Sequence, residues 1–261
     1  MIAVMFWGAC ALTLALTRSC GAMEGAVPGA SLSGEEHRFL EELQRASFRF
    51  FEEQTHPRTG LVSDRASANG GPQKGKASIA SSGFALAGWV IAVERGWVER
   101  TAALDRVRLM LRFLVNEAPR LHGFFYHFME LDSGARAWNC EVSPIDTSLC
   151  LFGALVAREY FRDPEVTDLV NRICADLEWP WFLNGGDTLA SSWRDESGFS
   201  RYRWKSFSEH IGMGILALGS PTHSLPAATW NAWHREPALT YGGRHFLSGA
   251  PLFIHPFSQA Y

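Results

Sequence analysis

Three acidic side chains stand where this sequence could carry out acid–base chemistry. Glu141 lies between Cys140 and Val142. That apolar setting predicts a raised pKa and makes it the first candidate for a general acid. Asp146 in Ser143-Pro-Ile-Asp146 and Glu209 in Ser206-Phe-Ser-Glu209 stand at predicted helix starts. Both also fit the capping-box spacing, so helix capping stays open as the plainer role for each. Polar and flat side chains crowd three nearby segments. TGLVSDRASANGGPQKG carries Asp64 and Arg65. HGFFYHFMELDSGARAWNCEVS carries His122, Tyr126, His127, Asp132, Arg136 and Trp138. NGGDTLASSWRDESGFSRYRWK carries Trp193, Asp195, Glu196, Tyr202 and Trp204. Carboxylates, guanidiniums, imidazoles and indoles together suit a polyhydroxylated ligand, because sugar rings stack on indole while forked side chains fix hydroxyls. An oligo- or polysaccharide is the expected partner. The adjacent pair Asp195 and Glu196 is expected to diverge, one side chain inward and one to solvent.

Other chemistries find no purchase. The histidines show no HExxH or i, i+4 spacing, so hydrogen bonding is favoured over metal binding and no metal or organic cofactor is expected. GxSxG, GxGxxG and GxxxxGK[ST] are absent, which leaves acyl transfer and nucleotide chemistry without a positive signal. A formal net charge of -3 offers no basic field for a phosphate backbone, so nucleic acid is not an expected partner. With 47% hydrophobic and 20% charged residues, the chain can bury a core and is not a disordered polymer. Ten Trp and eighteen Phe exceed what core packing alone asks for, and part of that aromatic surface is expected to face a ligand.

The positioning elements are helices. The stretch Glu35 to Gln54 sets Phe39, Leu40, Leu43, Phe48, Phe50 and Phe51 on one stripe. A nearly all-apolar second helix runs from Ser78 to Arg95 and closes at Gly96. A third spans Thr101 to Glu117. The fourth and fifth open on Ser143-Pro144 and Asp163-Pro164, each an N-cap followed by proline. A sixth is predicted from Ser206 to Gly219 and a seventh from Pro226 to Arg235, with no convincing run of alternating strands between them. Short links of about three to six residues alternate with long ones of about 20 to 26. In an up-down array the long links gather at one end, and that end is the predicted site. The pattern is that of an all-α array of antiparallel pairs, an α/α toroid or an open α-solenoid.

From Ile2 to Leu16 the chain carries no charge, and small residues follow at Ser19 to Ala22. The run is shorter than the roughly 20 residues a bilayer span needs, so residues 1–22 read as a signal peptide, 23–34 as a linker and 35–261 as the α/α domain. Secretion or a periplasmic location is the expectation, with no stable membrane span in the mature chain. Lipidation at Cys20 is the weaker alternative, because Thr17 and Arg18 fit a lipobox poorly. Cys140, Cys150 and Cys174 then remain, an odd number without CxxC spacing, expected as free thiols although a Cys140–Cys150 bridge is open. Nothing in the sequence marks an oligomeric state.

Six ordered blocks, GLVSDR, SIASSGFALAGWVIAVERGWV, HGFFYHF, EVSPIDTSL, SSWRDESGFSRY and ALGSPTHSLPAATW, resemble the glucoamylase-like (Glycoamylase) domain family. That family includes the endo-β-1,2-glucanases of glycoside hydrolase family 144. The resemblance runs from about Phe39 to Tyr261. It implies an (α/α)6 toroid and an inverting attack on β-glucan, most plausibly β-1,2-linked, with no metal or organic cofactor. It places Glu141 and Glu209 at acidic positions important in the family, with Asp146 beside them. Asp64, Arg65, Trp193 and His223 fall in blocks that resemble pocket-lining segments, and His127, Trp138 and Tyr202 complete the expected sugar-binding set. Glu141 is the expected acid, and Glu209 or Asp146 the base or water-positioning group, the acid and base being roughly 6.5 to 9.5 Å apart in an inverting pair. Since such a ring has twelve helices and about seven are read here, the chain is expected to be the N-terminal portion of a longer domain. A catalytically inactive glycan-binding α/α domain is the alternative on the same residues.

Overall fold

The computed structural model describes residues 32–71, 75–236, 238–247, 249, 251–257 and 260–261. The expected signal peptide and most of the linker lie outside the described residues. Five predicted helices form, four of them from a side-chain N-cap. Helix α1 (Gly34–Gln54) opens on a full capping box, Glu36 N donating to Ser33 Oγ at 3.2 Å and Ser33 N to Glu36 Oε2 at 2.7 Å. Helix α2 (Ile79–Glu94) is capped by Ser78, and the chain turns out of it through Gly96 at φ +67°, a backbone that glycine adopts without strain. Helix α3 (Arg100–Asn116) follows. Helices α4 (Pro144–Phe161) and α5 (Pro164–Asp176) start from Ser143 and Asp163, whose side chains accept from the amides of Asp146 and Val166. Helix α6 (His210–Leu218) is followed by single turns α7 (Thr229–Ala232) and α8 (Ile254–Phe257).

The last third departs from the sequence expectation. The sixth helix starts at His210 rather than Ser206, because Ser206 is taken up in a parallel bridge with His234. The seventh shrinks to four residues. Strands, not expected, occur as short antiparallel pairs. They are β1 (Lys76–Ser78), β2 (Arg120–Leu121), β3 (Phe124–Phe125), β4 (Phe128–Glu130), β5 (Trp193–Arg194), β6 (Gly198–Phe199), β7 (Ala238–Tyr241) and β8 (Arg244–Leu247), paired β1–β4, β2–β3, β5–β6 and β7–β8. The β7–β8 hairpin turns through Gly242 and Gly243, both at positive φ, the two-residue glycine loop that favours such a turn.

Helix α2 is apolar all round because it is covered all round, burying Ile79, Ala85, Leu86, Trp89 and Ala92. Each fully buried large side chain of this kind stabilises the fold by roughly 1.5–3 kcal/mol. Helix α4 crosses it at Gly83 and Gly153. A Cβ at Gly83 would collide with the backbone of Leu149 and Cys150, and one at Gly153 with the carbonyl oxygen of Gly83. Helices α3 and α5 pack outside this pair. The stripe predicted on α1 is only half covered: Phe48 and Phe51 are buried against Trp89 and Gly88, while Phe39 is 62% exposed, with Leu40 and Leu43 also open. Residues Phe257 and Tyr261 return to α2 and α4, their rings 5.2 and 5.5 Å from Phe84 and that of Tyr261 5.3 Å from Phe152. Cys140, Cys150 and Cys174 are free thiols.

Three long connections, 55–78, 117–143 and 177–209, meet at one end of the array and pair with one another. The β1–β4 ladder joins the first to the second, and a bridge between Val142 and Trp193 joins the second to the third. The N-terminal ends of α2 and α4 hold them there, as Ser82 Oγ accepts from Val62 N at 3.1 Å and Thr147 Oγ1 from Phe125 N at 3.0 Å. Substituting Gly153→Ala forces the two helices apart. It is expected to lower the thermal unfolding midpoint by roughly 5–10 °C. An unchanged midpoint in a calorimetric scan would show that the crossing tolerates a methyl group.

Candidate active site

Four titratable side chains form a chain of charges on the loop face, with His127 at its centre. Its position follows from backbone bonds: Ile79 N at the start of α2 donates to His127 O, and His127 N donates to Glu141 O. The ring stacks on Phe128 with centroids 3.8 Å apart. His127 Nδ1 then lies 2.9 Å from Glu141 Oε1, and Nε2 lies 3.6 Å from Asp146 Oδ1. Glu209, at the N-terminal end of α6, is close enough for the charges of Asp146 and His127 to act on it.

These surroundings drive the carboxyl groups apart in acidity. Glu141 has a pKa of about 2, held down first by the hydrogen bond from His127 and further by Arg194, whose Nη2 is 2.6 Å from Glu141 Oε2. The expectation that an apolar setting raises this carboxyl is not met, because two cationic partners outweigh burial. Burial works against a charge on His127, yet Glu141, Asp146 and Asp64 more than offset it and raise its pKa. Burial also raises Asp146, against the charge of His127 and the hydroxyl of Ser143. Glu209 is pushed up to about 7, by burial first and by the negative charge of Asp146 second.

The capping alternatives resolve differently. Ser143 caps α4, but its own amide donates to Phe125 O and its hydroxyl to Asp146 Oδ2 at 2.5 Å, so Asp146 does not close a reciprocal box. Glu209 occupies the cap position of α6 in right-handed helical conformation and makes no side-chain cap bond. Capping therefore accounts for neither carboxylate.

The remaining predicted site residues divide into two groups. Asp64 takes a bond from Arg65 Nε at 2.5 Å and bears electrostatically on His127, while Arg65 itself points largely to solvent. Trp193 is half-buried beside Trp181, and its backbone bridge to Val142 sets it next to Glu141. Trp138 is 60% exposed, its ring edge-on to Phe128 at 5.2 Å. Tyr202 is exposed under Arg201. His223 bonds Thr222 and lines a separate open cleft with His122, Glu178 and Arg120. Neither Tyr202 nor His223 makes a described contact with the charge chain. Asp195 and Glu196 do not diverge as expected: Arg136 Nη1 pairs with both, at 3.0 and 2.6 Å. Sequence reasoning missed Arg194. It sits beside Trp193 in the WRDE run, and its alternation with that indole on a short strand is the one local signal for it. Among the described residues no group of His, Cys, Asp and Glu is arranged to hold a metal ion.

Comparisons with known proteins point the same way. Residues 201–261 match the family model Glycoamylase, described as "Putative glucoamylase". An exo β-1,2-glucooligosaccharide sophorohydrolase (non-reducing end) of Parabacteroides distasonis is 23% identical over 214 residues, covering 76% of this chain and 29% of that protein. A glucoamylase-type crystal structure from Bacteroides uniformis superposes with a TM-score of 0.72 at 25% identity, over 84% of this chain and 56% of that one. An endo-β-1,2-glucanase from Chitinophaga pinensis, in complex with sophorotriose and glucose, superposes at 0.69 with 23% identity, over 83% and 56%. The fold is thus the all-α, toroid-type array of glucoamylase-like proteins, and the resemblance carried by the six sequence blocks holds. The chain spans less than two thirds of the length of each of these relatives.

The raised Glu209 has a consequence for stability. The unfolded chain releases this proton near pH 4.5 and the folded chain only near 7, so the folded state binds the extra proton between those values. Stability from this group falls as pH rises through that window, and the full cost of about 3 kcal/mol is reached above it. Glu209→Gln is therefore expected to raise the unfolding midpoint at pH 8 and leave it unchanged at pH 4. An equal effect at both pH values would place Glu209 in an ordinary solvated setting.

Proposed function

We propose that this chain is the catalytic portion of an exported glycoside hydrolase that cleaves β-glucan, with β-1,2-linked glucan as substrate, by an inverting two-carboxylate mechanism. The observation that carries it is the separation in acidity within one cluster: Glu209 keeps its proton to about pH 7 while Glu141 is ionised from about pH 2 upward. Two carboxyl groups pushed apart in this way mark acid and base roles. In this reading the acid is Glu209 rather than Glu141. A protonated Glu209 donates to the glycosidic oxygen as the bond to the anomeric carbon breaks. An ionised Glu141 cannot donate at neutral pH. With Asp146 it supplies negative charge to the oxocarbenium-like transition state, and these two are the acidic residues of the cluster that can activate water across the sugar ring. His127 holds both in place. The names of the similar proteins support the linkage: one is a sophorohydrolase of β-1,2-glucooligosaccharides and one an endo-β-1,2-glucanase. Export rests on the uncharged run Ile2 to Leu16 and the small residues before Met23.

A glycan-binding role without turnover is the second reading, supported by the exposed rings of Trp138 and Tyr202, 60% and 66% open. One experiment separates the two. Protein exported with its own N-terminal segment, whose mature chain is expected to begin at Met23, is assayed for sugar released from linear β-1,2-glucan. Glu209→Gln is expected to lower kcat by roughly 10²–10⁴, while hydrolysis of a glucosyl fluoride, whose leaving group needs no proton, is largely retained. Equal loss on both substrates would reject Glu209 as the acid. Calorimetric binding of the glucan with no sugar released by the unaltered chain would favour the binding role.

A further inference from the structure

Arg194 makes two contacts that join separate parts of the site. Its Nη2 pairs with Glu141 Oε2 at 2.6 Å, and its Nη1 donates to Asn139 O at 2.7 Å. That carbonyl belongs to a tight turn closed by Cys140 N donating to Ala137 O at 3.0 Å. Both central residues of the turn, Trp138 and Asn139, lie in the left-handed region, at φ +53° and +48°. Such turns favour Asn, Asp and Gly, and a tryptophan there is held against its own preference. Backbone outliers of this kind persist only where the surroundings enforce them, and they concentrate at functional sites. The enforced conformation has a visible product, since the indole stands 60% exposed with its edge on Phe128, whose ring in turn stacks on His127. Arg194 is itself aimed by the backbone. Trp193, its neighbour, exchanges both ladder bonds with Val142, at 2.8 and 3.1 Å, next to Glu141.

We propose that Arg194 is a positioning residue that locks the Glu141 carboxylate and the strained turn presenting Trp138 into one unit, so that a glucosyl ring stacked on the indole is held in register with the acid–base cluster. A planar fork suits this task. One guanidinium reaches a carboxylate and a carbonyl at once, whereas an ammonium group is a point charge that meets one of them well. The ligand class, a β-linked glucosyl unit, rests on the functional reading above, whereas the mechanical coupling does not.

The test uses the full chain labelled with 5-fluorotryptophan, with the Trp138 resonance assigned by its loss in Trp138→Phe, together with calorimetric titration of a β-1,2-linked glucose trisaccharide. Arg194→Gln is expected to shift and broaden the Trp138 fluorine signal and to weaken trisaccharide binding by roughly tenfold or more. The unfolding midpoint should move little, because the side chain is 44% exposed. Arg194→Lys should recover part of the affinity without restoring the signal. In a double-mutant cycle, Trp138→Ala should add little to the loss caused by Arg194→Gln. An unchanged Trp138 signal in Arg194→Gln, or losses that simply add, would overturn the proposal. If the unaltered chain neither binds nor cleaves the trisaccharide, the functional reading fails, and the fluorine signal alone still decides the coupling. Should Arg194→Gln not fold, the Lys variant carries the same fluorine test.

Discussion

The close crossing of α2 and α4 at Gly83 and Gly153 is the constraint on which the site depends. Two helices approach closely only where neither carries a Cβ, and the collisions that any side chain would cause there leave no room for adjustment. The crossing brings together the helix ends that hold the loops: Ser78 and Ser82 on α2, Ser143 and Thr147 on α4. Ile79 N then fixes His127 O, and Ser143 N fixes Phe125 O. The imidazole that organises the carboxylates is therefore placed by backbone bonds to the two innermost helices, and only its final contacts are made by side chains.

His127 in turn explains how like charges share so small a region. Glu141 and Asp146 face its two ring nitrogens, and Arg194 adds a second cation on the far side of Glu141. At Glu209 burial and the repulsion of Asp146 outweigh the weaker pull of His127. The same cluster thus contains one carboxyl group that is ionised from about pH 2 and one that holds its proton up to about pH 7, and the difference comes from the neighbours and not from the residue type. Ionising the half-buried Glu209 costs stability, so the fold favours the protonated form below about pH 7.

Helices were legible in the sequence wherever a cap was written locally. Ser143 and Asp163 cap where expected, and the prolines after them mark the first turns, while Ser33 and Ser78 cap just outside the apolar patterns that announced their helices. The Ser206 to Glu209 pattern misled because a capping box is only a spacing, and Ser206 is engaged with His234 instead. Strands of two or three residues carry no alternation to detect, although the Gly242-Gly243 pair between ALTY and RHFL was a readable hairpin signal. The sequence singled out the three carboxylates that lie around His127, but not their acidities. Glu141 is set by His127, 14 positions earlier, and by Arg194, 53 positions later, and no local window contains both. Arg194 escaped notice for the same reason, since its meaning lies in two partners brought to it by the Val142–Trp193 bridge.

Direct titration of the side-chain carboxyl carbons tests this account most closely. With ¹³C-labelled glutamate, and Glu141 and Glu209 assigned through their Gln variants, the Glu209 resonance should titrate near pH 7 while Glu141 remains ionised to about pH 2. If both carboxyl groups titrate together near pH 4.5, the cluster does not separate acid from base and the account fails.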